Sequence, residues 1–323
     1  MYHNTEKQLV DFLKDMYSVE QQALAQMVSA PKLADDPSLA TAFSKHHAET
    51  EQQAALVLAR LEAHGETPSA IQGAIMKLGG KGFLLFAGLQ PETPGRLTAH
   101  AYAYEAMEWA GYEMLGRFAE AAGDTQTAAV ARTIRDQERV MMERLESGFD
   151  AAEQASHRKT DPGKMDADII KHINEAHALE SQAIKLLSKS QDIAEDAELA
   201  AACRLNLADA HKHSDLLEQR LAALGGSSSS FKDAALALFG LNWGFFFQAQ
   251  SDTPAKLAAF AYAFEHLKIA GYELLKRSAR RAGDAETERL CESLVADEQS
   301  MVARLTGTFD SAAAATLSVA KGK

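Results

Sequence analysis

The chain has 323 residues, 46% of them hydrophobic, with a formal charge of −12, seven prolines and two cysteines. That length supports two domains that each bury a core, the negative charge repels phosphate backbones and so excludes nucleic acid as a partner, and two cysteines offer no disulfide framework. The start MYHNTEKQ lacks a basic segment followed by an apolar one, and the longest apolar run, Ala234 to Phe247, is broken by Asn242, so the expectation is a cytoplasmic protein with no membrane partner.

Leu9, Phe12, Leu13, Met16, Ala23 and Met27 recur at helical spacing until Pro31, which predicts a first helix ending there. Asp36-Pro37 sets a capping oxygen before a proline whose missing N–H costs nothing at the first helical position, and the second helix runs to Gly65. Thr93-Pro94 repeats the device for a third helix. Gly123 suits the left-handed conformation that ends it, and Asp124 caps a fourth, so helices three and four are tightly joined and antiparallel. The link from Gly65 to Thr93 is far longer, carries a short helical pattern at Ile71, Ala74, Ile75 and Leu78, and can cross the bundle. Four helices with a long connection between the second and third form a ferritin-like topology.

The plan is then repeated. AYAYEAMEWAGYEMLGRFAEAAGD from Ala101 returns as AYAFEHLKIAGYELLKRSARRAGD from Ala261, and Asp36, Thr93-Pro94, Gly123-Asp124 and Phe149-Asp150 return as Asp196, Thr253-Pro254, Gly283-Asp284 and Phe309-Asp310. The second set of helices is expected at Ile169 to Leu187, Asp196 to Gly225, Pro254 to Gly283 and Asp284 to Phe309. Pro162 and Gly163 in SHRKTDPGK suit a linker, which divides the chain into domains 1–160 and 161–323. The expectation is all-α: two tandem ferritin-like four-helix bundles, each with a long crossover, stacked as an intramolecular pseudo-dimer and able to form a homo-oligomer. Phe83 to Phe86 and Trp243 to Phe247 fall at equivalent places in the crossovers and are expected to pack, GGKG at Gly79 reads as a turn, and the serines from Ser227 as a flexible connection.

Several carboxylates interrupt the apolar stripes. Glu20 lies between Met16 and Ala23, Glu49 shares a face with His46 and Gln53, Glu108 stands between Tyr104 and Tyr112 with Glu105 one turn earlier, and Glu138 lies between Ile134 and Met141. Burying isolated charges is costly unless a shared cation or shared protons compensate. Ferritin-like di-metal sites draw a Glu from each of two helices and Glu-x-x-His from the other two, and such ligands suit iron or manganese. Gln52 and Met141 stand where that motif would place histidines, leaving His46 as the nearby imidazole. In the second repeat Glu180, Glu265 and Glu298 persist, Asp209 replaces Glu49, Asn206 replaces His46, His213 replaces Gln53, and Lys268 replaces Glu108. An ammonium there neutralises the remaining carboxylates without metal. The competing reading is a buried network of Glu, Tyr, Gln and His that fixes helix register without metal.

The segment QLVDFLKDMYSVEQQALAQM, then His46-x-x-Glu49-Thr50-x-x-Gln53, then Glu105-x-x-Glu108-x-x-x-Tyr112 with Gly123 eleven residues on, and Glu138 seven before Leu145, resemble in order and spacing the YciE/YciF family of ferritin-like proteins. The resemblance implies a small, cytoplasmic, stress-associated four-helix bundle of a dimer-forming kind, with Glu20, Glu49, Glu105, Glu108 and Glu138 at the family's carboxylate positions. Together these readings point to an iron or manganese site in the first bundle, with Glu20, Glu49, Glu108 and Glu138 as ligands and Glu105 and His46 as auxiliaries, oxidising the metal with oxygen or peroxide. A weaker second site would draw on Glu180, Asp209, His213, Glu265 and Glu298. A metal-free structural protein and a di-metal oxygenase for a small organic substrate remain as alternatives.

Overall fold

The computed structural model describes residues 2–67, 93–158, 165–227 and 254–319, and every regular element among them is helical. The first half contains α1 (Tyr2–Met27), a short α2 (Ala30–Leu33), α3 (Pro37–Ala63), α4 (Thr93–Ala122), α5 (Thr125–Ser147) and α6 (Phe149–His157). The second contains α7 (Met165–Ile193), α8 (Ala197–Ala223), α9 (Pro254–Ala282), α10 (Ala285–Thr306) and α11 (Phe309–Val319). The crossover patterns at residues 71–78, GGKG, Phe83 to Phe86, Trp243 to Phe247 and the serines after Ser227 lie outside the described residues.

The helix starts follow from their caps. Asp36 accepts from the amides of Ser38 at 2.9 Å and Leu39 at 3.1 Å, and Asp124 from those of Gln126 at 3.1 Å and Thr127 at 2.9 Å. Asp196 and Asp284 do the same for Leu199 and Thr287, at 2.7 and 3.0 Å. Gly123 and Gly283 close the preceding helices with φ of 76° and 73°, a conformation that strains other residues. Three boundaries depart from the sequence expectation. Pro31 lies inside α2 rather than ending α1. The fourth helix of each half splits near Gly148 and Gly307, producing α6 and α11. A Cβ on Gly148 would meet Leu39 Cδ2 at 2.6 Å, so the absence of a side chain lets the break sit against α3. Finally, α7 extends on both sides of the expected Ile169 to Leu187.

Cross-helix contacts fix the topology. Lys14 of α1 reaches Glu66 just past α3 at 2.7 Å, and the Tyr104 hydroxyl of α4 donates to the Val19 carbonyl of α1 at 3.0 Å. Arg60 near the end of α3 meets Asp124 at the start of α5 at 3.1 Å, while Glu49 meets Arg144 near the end of α5 at 2.9 Å. Both α3 and α4 therefore run against α1 and α5, and so parallel to each other. The end of α3 and the start of α4 therefore lie toward opposite ends of the bundle, α3 alone being about 40 Å long with its 27 residues. This is the ferritin-like arrangement.

The halves meet through pairs that swap roles. Arg117 reaches Asp310 at 2.7 Å, and its counterpart Arg277 reaches Asp150; Lys256 reaches Asp15 at 2.7 Å, and its counterpart Arg96 reaches Glu175. Arg117 lies 5.9 Å from the Phe309 ring centroid, and Arg277 lies 5.7 Å from that of Phe149. Such reciprocity marks an isologous contact with pseudo-two-fold symmetry. One apolar cluster is continuous across it, joining Leu13 and Phe118 of the first half to Phe260 and Phe309 of the second. No described helix is long and apolar enough to cross a membrane.

Candidate metal centre

Helical periodicity delivers the polar side chains to the interior. Glu20 sits one turn from Met16 on α1, His46 and Gln53 lie two turns apart on α3, Glu105 and Glu108 one turn apart on α4, and Glu138 one turn from Ile134 on α5. Glu20, His46 and Glu138 are fully buried, and Glu105 and Glu108 nearly so. One ligand atom from each of His46, Glu105, Glu108 and Glu138 falls within 4.8 Å of the others. His46 Nε2 lies 2.8 Å from Glu105 Oε2 and 3.4 Å from Glu138 Oε2.

Around this core, hydrogen bonds hold the outer oxygens. Tyr112 donates to Glu20 Oε1, and Gln53 Nε2 donates to Glu138 Oε1 at 2.5 Å. The inner atoms are left over: Glu20 Oε2, Glu105 Oε2, Glu108 Oε1, Glu138 Oε2 and His46 Nε2 are buried without a hydrogen-bond partner. The 2.8 Å approach of His46 to Glu105 is thus an ion-pair contact out of line for a hydrogen bond. Buried polar atoms without hydrogen-bond partners are rare, and four converging on one point with a fifth on Glu20 ask for a counter-ion. Oxygen and imidazole atoms of this kind can hold a metal ion.

Ionisation follows the same imbalance. Burial pushes the Glu20 carboxyl up to about 8, partly opposed by the Tyr112 hydrogen bond. Burial, and then repulsion from Glu20 and Glu138, holds Glu108 well above the usual carboxyl range; burial and then Glu105 do so for Glu138. For His46 burial acts downward, but the Glu105 carboxylate outweighs it and the imidazole titrates well above its ordinary value. Without a cation, protons must fill the gap; a cation would displace them.

The geometry reorders the sequence-derived ligands. Glu105 and His46, expected as auxiliaries, stand at the centre with Glu108 and Glu138, and Glu20 flanks them. Glu49 does not join the group: its side chain is one-fifth exposed, and Arg144 holds it from α5 at 2.9 and 3.4 Å. The bond to His46 and then Arg144 bring its carboxyl down to about 2. Its Oε2 lies 3.3 Å from His46 Nδ1, so it orients the imidazole from behind. Gln53, two turns from His46 on the same face of α3, is carried by that spacing to Glu138.

The second half builds a different centre. Lys268 Nζ lies 2.7 Å from Glu265 Oε2, 2.9 Å from Glu298 Oε1 and 3.3 Å from Glu180 Oε2. His213 Nδ1 adds contacts of 3.0 Å to Glu298 and 3.4 Å to Glu180, and Asn206 donates to Glu265 at 3.0 Å. Glu180, His213 and Glu298 are close enough to share an ion, but the ammonium already stands among these carboxylates. Asp209 lies apart, one-third exposed and bound by Arg304. Four carboxylates face one imidazole in the first half, whereas three face an imidazole and an ammonium in the second.

A family model described as "Domain of unknown function (DUF892)" matches residues 4–157 and again residues 168–318. No curated protein and no solved structure matches the chain.

Proposed function

The chain belongs to the DUF892 family, with one copy in each half, and from that premise we propose that its first bundle binds iron or manganese at His46, Glu105, Glu108 and Glu138, with Glu20 beside them. The single observation that carries this reading is the convergence of buried ligand atoms of His46, Glu105, Glu108 and Glu138, each without a hydrogen-bond partner, around an excess of negative charge. When bound, the metal would supply one-electron redox chemistry toward oxygen or peroxide. The protein's part is to hold the ligands: Glu49 and Arg144 fix the His46 ring through Nδ1, Gln53 holds the far oxygen of Glu138, and Tyr112 that of Glu20. Protons on Glu108, Glu138 and His46 would leave as the cation enters, so loading should acidify a weakly buffered solution.

The second bundle, with Lys268 in the cation's place, acts as a scaffold. The YciE/YciF resemblance supports a stress-associated, cytoplasmic role, and the charge of −12 argues against a nucleic-acid partner. Residues 1–160 and 161–323 are taken as the two domains of an intramolecular pseudo-dimer.

Elemental analysis of protein loaded anaerobically with Fe(II), wild type beside Glu108→Lys and Lys268→Glu, tests the proposal. Near-stoichiometric metal in the wild type, its loss in Glu108→Lys and a gain in Lys268→Glu are expected. Absence of metal from wild type would instead favour a metal-free polar core whose acids stay protonated, for which the Tyr112 to Glu20 and Gln53 to Glu138 bonds already provide.

A further inference from the structure

The pseudo-two-fold relation gives the contact between the halves two equivalent ends, and the chain makes them chemically different. Each end is framed by the same bond: Gly95 N donates to Ser156 Oγ at 2.8 Å, and its counterpart Ala255 N donates to Thr316 Oγ1 at 3.0 Å. Around Thr316 the end is apolar. Phe12 stands edge-on to Phe118 at 4.9 Å, and Ala313 and Leu317 pack in the same cluster. Around Ser156 the equivalent positions hold His172, Ser278, Glu153 and His157, and Arg281 and Asp168 stand in place of Ala121 and Gln8. Groups able to carry charge thus occupy positions whose counterparts carry none.

His157, on α6 of the first half, is the hub of this polar end. Its side chain is only 11% exposed, and its Nε2 lies 3.2 Å from Ser278 Oγ of α9 and 3.4 Å from Glu153 Oε1 one turn back. The His172 ring of α7 stands edge-on to it, with centroids 6.3 Å apart. Arg281 of α9 donates to both Glu153 oxygens, at 2.8 and 2.6 Å, and so already neutralises that carboxylate. Asp168 of α7 is the other acid acting on His157 among the described residues, while the next residue, Arg158, turns to Asp36 at 3.7 Å. A single further carboxylate therefore faces two imidazoles and a guanidinium.

Burial lowers the pKa of His157. Glu153 opposes it, but His172 and Arg281 act with burial, and the net shift is downward from 6.5. A docked α6 thus binds the proton less tightly than a free one. The stabilisation that docking contributes is complete above pH 6.5 and is lost as the pH falls below it.

We propose that the polar end is an acid-sensitive latch between the halves: His157 and His172 as neutral rings dock α6 onto α7 and α9, and their protonation loosens α6 while the apolar end stays closed. The latch stands apart from the metal-binding reading and would hold if that reading failed.

Hydrogen–deuterium exchange of the full chain, followed from above pH 6.5 to well below it with labelling times scaled to the intrinsic pH dependence of exchange, tests the latch. α11 is the control within the same molecule. Protection of α6 (Phe149–His157) should fall severalfold with acidification, and that of α11 (Phe309–Val319) should not. His157→Leu/His172→Phe, which copies the apolar end, should remove the difference between the two helices. His157→Gln, which keeps a hydrogen-bonding group that does not titrate, should reduce it. Constant protection of α6 in the wild type overturns the proposal, as does an equal loss in α6 and α11. Persistence of the full difference in both variants overturns it too.

Discussion

Glu108 and Lys268 occupy one position in two copies of the same bundle, and the exchange reverses the electrostatic problem that each interior must solve. Lys268 is fully buried, yet three carboxylates outweigh the burial that would discharge it, and its pKa rises well above the ordinary value. His213 shares in this. Burial acts downward on its imidazole, but Glu180 and Glu298 outweigh it and carry the pKa from 6.5 up to about 10. A raised imidazole pKa means that the folded state binds the proton more tightly than the unfolded chain. The resulting stabilisation is complete below pH 6.5 and disappears as pH rises through about 10. We expect the urea midpoint of the second half to fall across that window, and His213→Gln, the first half's residue, to flatten the slope. A wild-type midpoint that stays constant over the same window would contradict this account. The inward acids were legible in the sequence because each breaks a helical apolar stripe. The demotion of Glu49 was not, because Arg144 lies 95 positions away and only the packing of α5 on α3 brings them together.

Among the helices, punctuation read from Asp, Pro and Gly placed most starts and stops, since capping is a local interaction. The break at Gly148, which contact with α3 explains, and the additional helix α11 past the expected end at Phe309 both escaped it. Gly111 and Gly271, one glycine in two copies, separate local from tertiary effects. A Cβ at Gly111 would come within 2.7 Å of Met16 Sδ on α1, whereas at Gly271 the nearest atom, Leu179 Cδ1, lies at an ordinary 3.4 Å. Alanine in place of a mid-helix glycine gains about 0.5–1 kcal/mol of helix propensity. Gly271→Ala should therefore stabilise by roughly that amount, while Gly111→Ala should gain less or lose stability as Met16 is displaced. Thermal melts of the two single variants compare them directly, and equal gains would show that α1 and α4 do not approach as described.

Across the whole molecule, reciprocal pairs and a shared apolar cluster join the halves. Asp310 and Asp150 are largely exposed, so their ion pairs with Arg117 and Arg277 contribute little, about 0–1 kcal/mol each. Burial of Trp109 stacked on Tyr262 at 5.0 Å, and of Phe309 against both, has to supply the association. A protease site placed between Arg158 and Met165 and then cut should leave the halves together on gel filtration. Separation into two free bundles at micromolar concentration would show that the covalent link, not the interface, holds them.

The sequence by itself determined the duplication, the all-helical class and the stripes on which Glu20, Glu105, Glu108 and Glu138 interrupt apolar residues. Each of these rests on periodicity, capping or self-similarity, which are local along the chain. Tertiary structure alone decided which inward groups share a centre, that Glu49 serves Arg144 instead, that Lys268 reaches three carboxylates at once, and that His157 meets His172 at one end of the contact between the halves. These depend on distances between separate helices, and side chains far apart in the chain acquire a common environment only when the helices pack.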